Sequence, residues 1–182
     1  VEFVFARIGF RGTGSGTLNS DAFYAQNIDG AMAAGLDTGV YFFSQAITVA
    51  EAVEEANYVL SLLGGRKLTA PIAYDWEMHD STYRVYGTSS AMATACAKAF
   101  CETIEAAGYQ AMVYTSSYVA YNKFDLSVLS KYPVWYPEYK SASSTALYPQ
   151  LYYRPNYWQF TSKGSVAGLS GNVDCNLQFI PN

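Results

Sequence analysis

The sequence predicts an α/β fold, an irregular TIM-like (β/α) barrel with reduced C-terminal helices. Three observations lead to it. Apolar residues switch repeatedly between strand-like and helix-like spacing, so strands and helices alternate as in parallel β/α architecture. The glycine loop after the first strand, Arg11-Gly12-Thr13-Gly14-Ser15-Gly16, has neither the G-K-[ST] ending nor the G-x-G-x-x-G order of a phosphate cradle, which argues against a nucleotide-binding open sheet. Polar and aromatic residues instead gather at the ends of several predicted strands, where barrel enzymes place their chemistry. With 182 residues the chain is long enough for one well-buried core, so residues 1–182 are expected to form a single domain.

The elements follow in order. Val1 to Phe10 alternates and is apolar enough for a strand. Asn19 or Ser20 is placed to cap a helix from Asp21 to about Ala34, which Gly35 ends. Thr38 to Phe43 reads as the second strand. Val53, Ala56, Val59, Leu60 and Leu63 recur at helical spacing within Val49 to Leu63, and Gly64-Gly65 stops that helix. A third strand runs from Ala70 to Glu77. Ser89 or Ser90 starts a helix whose Met92, Cys96, Phe100, Ile104 and Ala107 share one face until Gly108. Further strands are predicted at Ala111 to Thr115, Pro133 to Tyr136, Asn156 to Phe160 and Asn172 to Cys175, with room for a short helix between Ser117 and Leu129.

Composition narrows the function classes. Apolar residues make up 51% and charged residues 14%, which suits a packed interior and excludes a disordered polymer. The 11 basic and 15 acidic residues give a net charge of −4, and no Lys or Arg cluster tracks a phosphate backbone, so nucleic acid is not expected as a partner. No apolar stretch approaches the roughly 20 residues that cross a bilayer. Seventeen tyrosines offer flat faces with hydroxyls, a surface that suits sugars and equally suits β-rich cores. Cys96, Cys101 and Cys175 have no metal-ligand spacing and read as small buried hydrophobes, and no metal or cofactor is expected. A lone histidine, His79, makes no zinc site and reads first as a loop residue.

The segment Ala70-Pro71-Ile72-Ala73-Tyr74-Asp75-Trp76-Glu77 carries the chemistry. Residues i and i+2 of a strand point to the same side, so Asp75 and Glu77 project together with Cα atoms roughly 6.5–7 Å apart. Two neighbouring acids repel when both are charged, so one retains its proton beside an ionised partner, the arrangement that glycosidic cleavage uses. A D-x-E pair alone is common on solvated edges. Here it ends an apolar strand, where acids are costly unless used.

Across its whole length the chain resembles the family 25 glycoside hydrolases, the Chalaropsis-type lysozymes that cut bacterial peptidoglycan. The residues that carry the resemblance are Phe3-Val4-Phe5-Ala6-Arg7-Ile8-Gly9, Phe23-Tyr24-Ala25-Gln26-Asn27, Gly39-Val40-Tyr41-Phe42-Phe43 and Asp75-Trp76-Glu77, followed by Val113-Tyr114-Thr115-Ser116, Val134-Trp135, Trp158-Gln159-Phe160-Thr161-Ser162 and Val173-Asp174-Cys175-Asn176. The resemblance implies hydrolysis of the β-1,4 bond between N-acetylmuramic acid and N-acetylglucosamine, without a cofactor and outside the cytoplasm. It implies Glu77 as general acid, Asp75 as the carboxylate that stabilises developing positive charge, and Asp174 as a further active-site acid. Tyr41, Phe43, Tyr114, Trp135, Trp158 and Gln159 are the candidate sugar-binding residues, with core packing as the competing role for the aromatics.

Two departures from the family stand out. It normally opens with a strand carrying Asp-x-Ser, whose Asp belongs to the catalytic set, and the first strand here matches the family's second. The expectation is therefore a domain lacking one strand and one acid, with little or no hydrolysis as given and an edge prone to pairing between molecules. Pro137 also stands where the family usually has a small residue. The alternative reading from another class is a glycan-binding barrel that has lost its activity. A chitinase-like enzyme ranks below it, since the longer acidic run expected there is missing.

Overall fold

The computed structural model describes residues 1–141 and 148–179. It contains β1 (Phe3–Arg11), β2 (Leu18–Ser20), α1 (Tyr24–Ala33), β3 (Asp37–Ser44), α2 (Val49–Leu63) and β4 (Ile72–Trp76), then α3 (Ser90–Ala106), β5 (Ala111–Tyr114), α4 (Ser117–Asn122), β6 (Val134–Pro137), β7 (Tyr157–Gly164) and β8 (Val173–Gln178). One eight-stranded sheet has the order β2-β1-β3-β4-β5-β6-β7-β8. Its six central strands are parallel, and β2 and β8 join the ends antiparallel. This is the irregular β/α barrel architecture the sequence predicts, as a curled half-barrel, with α1, α2 and α3 covering the early strands and, among the described residues, only the six-residue α4 in the later half.

Alternation along the strands divides the interior in two. Ile8, Val40, Phe42, Ile72, Tyr74, Trp76 and Val113 face outward and pack with the helices in the larger core. Ala73, Met112, Tyr114, Trp135 and Tyr157 face inward and form a smaller core, joined by Phe3, Phe5 and Tyr41. Phe5 of β1 meets Trp135 at 4.9 Å and Tyr157 at 5.1 Å between ring centroids. The sheet therefore curls until its second strand touches its seventh across the inside. Gly39 makes room for that curl: a Cβ there would lie 2.5 Å from the Pro71 carbonyl oxygen and 2.6 Å from the Phe5 ring. Among the described residues, the side of β1 away from β3 pairs only with β2, at Gly9, Phe10 and Arg11.

Three helices start on a side-chain cap, and that of α3, Ser89, is one of the two residues the sequence offers. Thr48, Ser89 and Ser116 accept the amides of Glu51, Met92 and Val119 to cap α2, α3 and α4. Asn19 and Ser20 do not cap α1, because both belong to β2, a strand the sequence reading missed. Asp21 instead accepts the Phe23 amide at 2.9 Å in a turn that leads into the helix. Strands β7 and β8 run further than predicted, to Gly164 and Gln178, as a hairpin with two register shifts. All three cysteines are free. Cys96 and Cys101 are buried as expected, whereas Cys175 is partly exposed.

Candidate active site

β4 is buried on both faces. Its Ala73 and Asp75 turn inward, while Tyr74 and Trp76 turn out, Trp76 donating to the Ala46 carbonyl at 3.0 Å and packing on Phe124. Glu77 follows directly after the strand and returns to the inner side. Asp75 and Glu77 thus share one cleft of about 530 Å³ at the C-terminal ends of the strands. The cleft collects groups from β1, β3, β4, β5, β6, β7 and β8.

Asp75 is 6% exposed, and one of its carboxyl oxygens has no hydrogen-bond partner among the described residues. Burial is the main cause that pushes its pKa well above the carboxylate range; the charge of Glu77 and a hydrogen bond with it push further, and Arg7 opposes them. Two carboxyl groups this close share a proton more readily than they carry two charges. Glu77 is the member that reaches the open cleft. Its carboxylate lies 3.3 Å from His79 Nε2, and Tyr114, its hydroxyl pKa raised chiefly by burial and then by the charges of Glu77 and Asp75, lines the same cleft. Tyr41, pushed up to about 12 mainly by burial and then by Asp75, stays a hydroxyl donor at any ordinary pH.

The far wall is an aromatic and amide surface. Trp135 stands edge-on to Tyr41 and Tyr114, at 5.9 and 4.9 Å, and its indole N–H donates to Asn176 Oδ1 at 2.8 Å. Gln159 accepts from the Tyr139 hydroxyl at 2.6 Å and donates to Asp174 at 3.4 Å. Asp174 is largely exposed, yet the protein around its carboxyl suffices to raise its pKa. Among the described residues, no three His, Cys, Asp or Glu side chains converge as metal ligands. No described helix is long and apolar enough to cross a membrane.

Of the residues singled out from sequence, Glu77, Asp75, Asp174, Tyr41, Phe43, Tyr114, Trp135 and Gln159 all line this cleft. Trp158 does not. It sits between the inward-facing Tyr157 and Gln159 on β7, so the pleat turns it away, and its indole N–H donates to the Glu138 carbonyl at 2.8 Å. The sequence reading missed Arg7, Tyr139, Ser116 and Ser162, and it took His79 for a plain loop residue although His79 lines the cleft. Arg7 was legible in principle, since it shares the alternation of Phe3 and Phe5. Tyr139 and Ser162 lie where loops and register shifts break any periodicity.

Comparison with known proteins places this geometry in context. The family model described as glycosyl hydrolases family 25 matches residues 1–169. The spore cortex lytic enzyme SleM of Clostridium perfringens is similar in structure, with a TM-score of 0.80 and 21% identity over 97% of this chain and 60% of that one. The autolysin LytC of Streptococcus pneumoniae, solved with a synthetic peptidoglycan ligand, gives a TM-score of 0.81 and 23% identity over 98% of this chain and 41% of its own. A bacterial lysozyme from Streptomyces coelicolor gives 0.74 and 24%, over 97% of this chain and 81% of its own. The chain thus spans well under two thirds of SleM and LytC, and at these identities the likeness concerns the fold. The comparison with curated proteins returns no match.

Proposed function

Because the chain belongs to glycosyl hydrolases family 25 and is a glycoside hydrolase, we propose that residues 1–182 act as one catalytic unit that cleaves the β-1,4 bond between N-acetylmuramic acid and N-acetylglucosamine in bacterial peptidoglycan. The observation that carries this reading is the Asp75–Glu77 pair at the floor of an aromatic cleft, where burial and the neighbouring Glu77 raise the pKa of Asp75. In this mechanism Glu77, the member open to the cleft, passes the proton of the pair to the leaving oxygen as the glycosidic C–O bond breaks; water supplies the new oxygen at the anomeric carbon, and its proton returns to the carboxyl pair. Asp75 is then ionised beneath the sugar ring, where a carboxylate in a water-poor site stabilises oxocarbenium-like charge. Tyr114 stands beside the pair as a neutral hydroxyl, Arg7 favours the ionised state of Asp75, and Asp174 supplies a further acid on the opposite wall. Tyr41 and Trp135 offer faces and hydrogen-bonding groups to the sugars. Such a substrate puts the enzyme's work at the cell wall, outside the cytoplasm. The peptidoglycan ligand of LytC supports the substrate class.

The test is turbidity loss of purified Gram-positive cell walls, with the reducing ends of the products identified by mass spectrometry. New N-acetylmuramic acid reducing ends are expected, and Glu77→Gln is expected to lower the rate about 10²–10⁴-fold while wall binding persists. N-acetylglucosamine reducing ends would overturn the bond assignment. Full lysis by Glu77→Gln would overturn the choice of acid. Binding without lysis by the unaltered protein would favour the glycan-binding reading.

A further inference from the structure

We propose that Gln45 is a positioning residue: its side-chain amide holds the main chain of Glu77 and so sets where the acid stands over Asp75. The inference rests on the reading of Glu77 as the acid. The last ladder pairs of β4 are Ser44 with Trp76 and Asp75 with Tyr114, so the sheet ends one residue short of Glu77. Gln45, directly after β3, takes over there, its Nε2 donating to the Glu77 carbonyl at 2.8 Å.

Gln45 is itself held from three sides. Its carbonyl accepts from Arg84 Nη1 at 2.9 Å, and the same guanidinium is clamped by Glu51 of α2. Its backbone amide points to Glu55, which also takes the Ser44 hydroxyl at 2.6 Å and Arg11 Nε at 2.7 Å. Ala46, the next residue, accepts the indole of Trp76, and the Ile47 amide donates to Glu51. The segment 45–47 is thereby fixed to α2 and β1 on one side and presents two anchors to residues 76 and 77 on the other.

A purely structural role fits this side chain poorly. Gln45 is fully buried, and its Oε1 has no hydrogen-bond partner among the described residues. An apolar side chain of similar length would fill the same space without that desolvation cost. Retaining an amide with one half unsatisfied makes sense if the other half is needed. What it controls is the spacing of a pair whose properties depend on contact. The groups that face Asp75 are Arg7 from β1, Tyr41 from β3, Tyr114 from β5 and Glu77, and among them Glu77 is the one that raises the pKa of Asp75 by charge and hydrogen bond together.

The variant is Gln45→Met, which keeps length and removes the donor. If the inference holds, wall binding is unchanged and turnover falls roughly 10- to 100-fold, the scale of a displaced catalytic group. The alkaline limb of the pH–rate profile moves to lower pH, because Asp75 loses the neighbour that raises its pKa. Carboxyl carbon NMR on labelled protein reads the same shift as a lower Asp75 titration midpoint. That measurement needs no turnover, so failure of the muramidase reading leaves it intact. A folded Gln45→Met protein with unchanged turnover and an unchanged Asp75 midpoint would overturn the proposal. Should Gln45→Met not fold, Arg84→Gln releases the Gln45 carbonyl from outside the core; it is expected to lower the same midpoint by less, and an unmoved midpoint would overturn the proposal as well.

Discussion

Glu55 turns the buried charge beneath the site into a measurable pH dependence. Its carboxylate is fully buried between α2 and the sheet, with Arg11 and Ser44 donating at 2.7 and 2.6 Å and the Gln45 amide at 3.4 Å. Desolvation outweighs these donors and raises the pKa to about 7, from an ordinary value of 4.5 in the unfolded chain. Between those values the folded protein binds a proton that the unfolded chain has released. Stability from this group is therefore fully present below about pH 4.5 and is lost as pH rises through about 7. At about 1.4 kcal/mol per pH unit the loss comes to about 3 kcal/mol. For a domain of this size it lowers the melting temperature by about 6–12 °C. The assay is calorimetric melting of the unaltered protein and of Glu55→Gln from pH 4 to pH 8. Glutamine has no proton to release, so the variant loses this slope. It is less stable at every pH because Arg11 loses a buried partner, and the slopes rather than the heights are therefore compared. The raised pKa of Asp75 acts with the same sign in both proteins and cancels. Parallel curves would refute the argument that burial, not Arg11, decides the state of Glu55.

Three further substitutions probe the site and its frame. Tyr114→Phe removes a neutral hydroxyl beside the acid pair, and steady-state kinetics on cell walls is expected to show turnover down about 100-fold, the low end of the range for one preorganised donor, with KM little changed. Trp158→Phe keeps the ring and deletes the bond to the Glu138 carbonyl; chemical denaturation should show a cost of about 1 kcal/mol, and wall binding should be unaffected because Trp158 lies outside the cleft. Gly39→Ala drives a methyl group against Pro71 and Phe5 and is expected to cost about 1–3 kcal/mol in the same denaturation assay.

What was legible in the sequence was whatever obeys a period. The alternation that ends in Asp75-Trp76-Glu77 places both acids on one side, and the structure brings them to one cleft with Tyr41, Tyr114 and Trp135. The same rule, applied strictly, would have removed Trp158, because its neighbours Tyr157 and Gln159 already claim the inner face. Trp158 was chosen for its residue type, and residue type does not say which way a strand points it. Arg7 is the reverse case, an inward position on the alternation of Phe3 and Phe5 that the candidate residues omit.

The polar scaffold behind the site was hidden for a different reason. Arg11 would share the inward face with Arg7 if β1 were regular, but the register shifts between Arg7 and Gly9, and the bulge turns Arg11 out toward α2. That shift is what lets Arg11 meet Glu55 across 44 residues of sequence. Gly9 allows it, since a Cβ there would lie 2.5 Å from the Asn19 carbonyl oxygen. Nothing local in Gly9-Phe10-Arg11 announces a bulge, because β2 sets it from eight or more residues downstream through the pairing of Gly9 with Ser20. A single irregular residue thus separates the two arginines of β1. Arg7 faces the acids that the mechanism uses, and Arg11 faces the acid that anchors the segment holding Glu77.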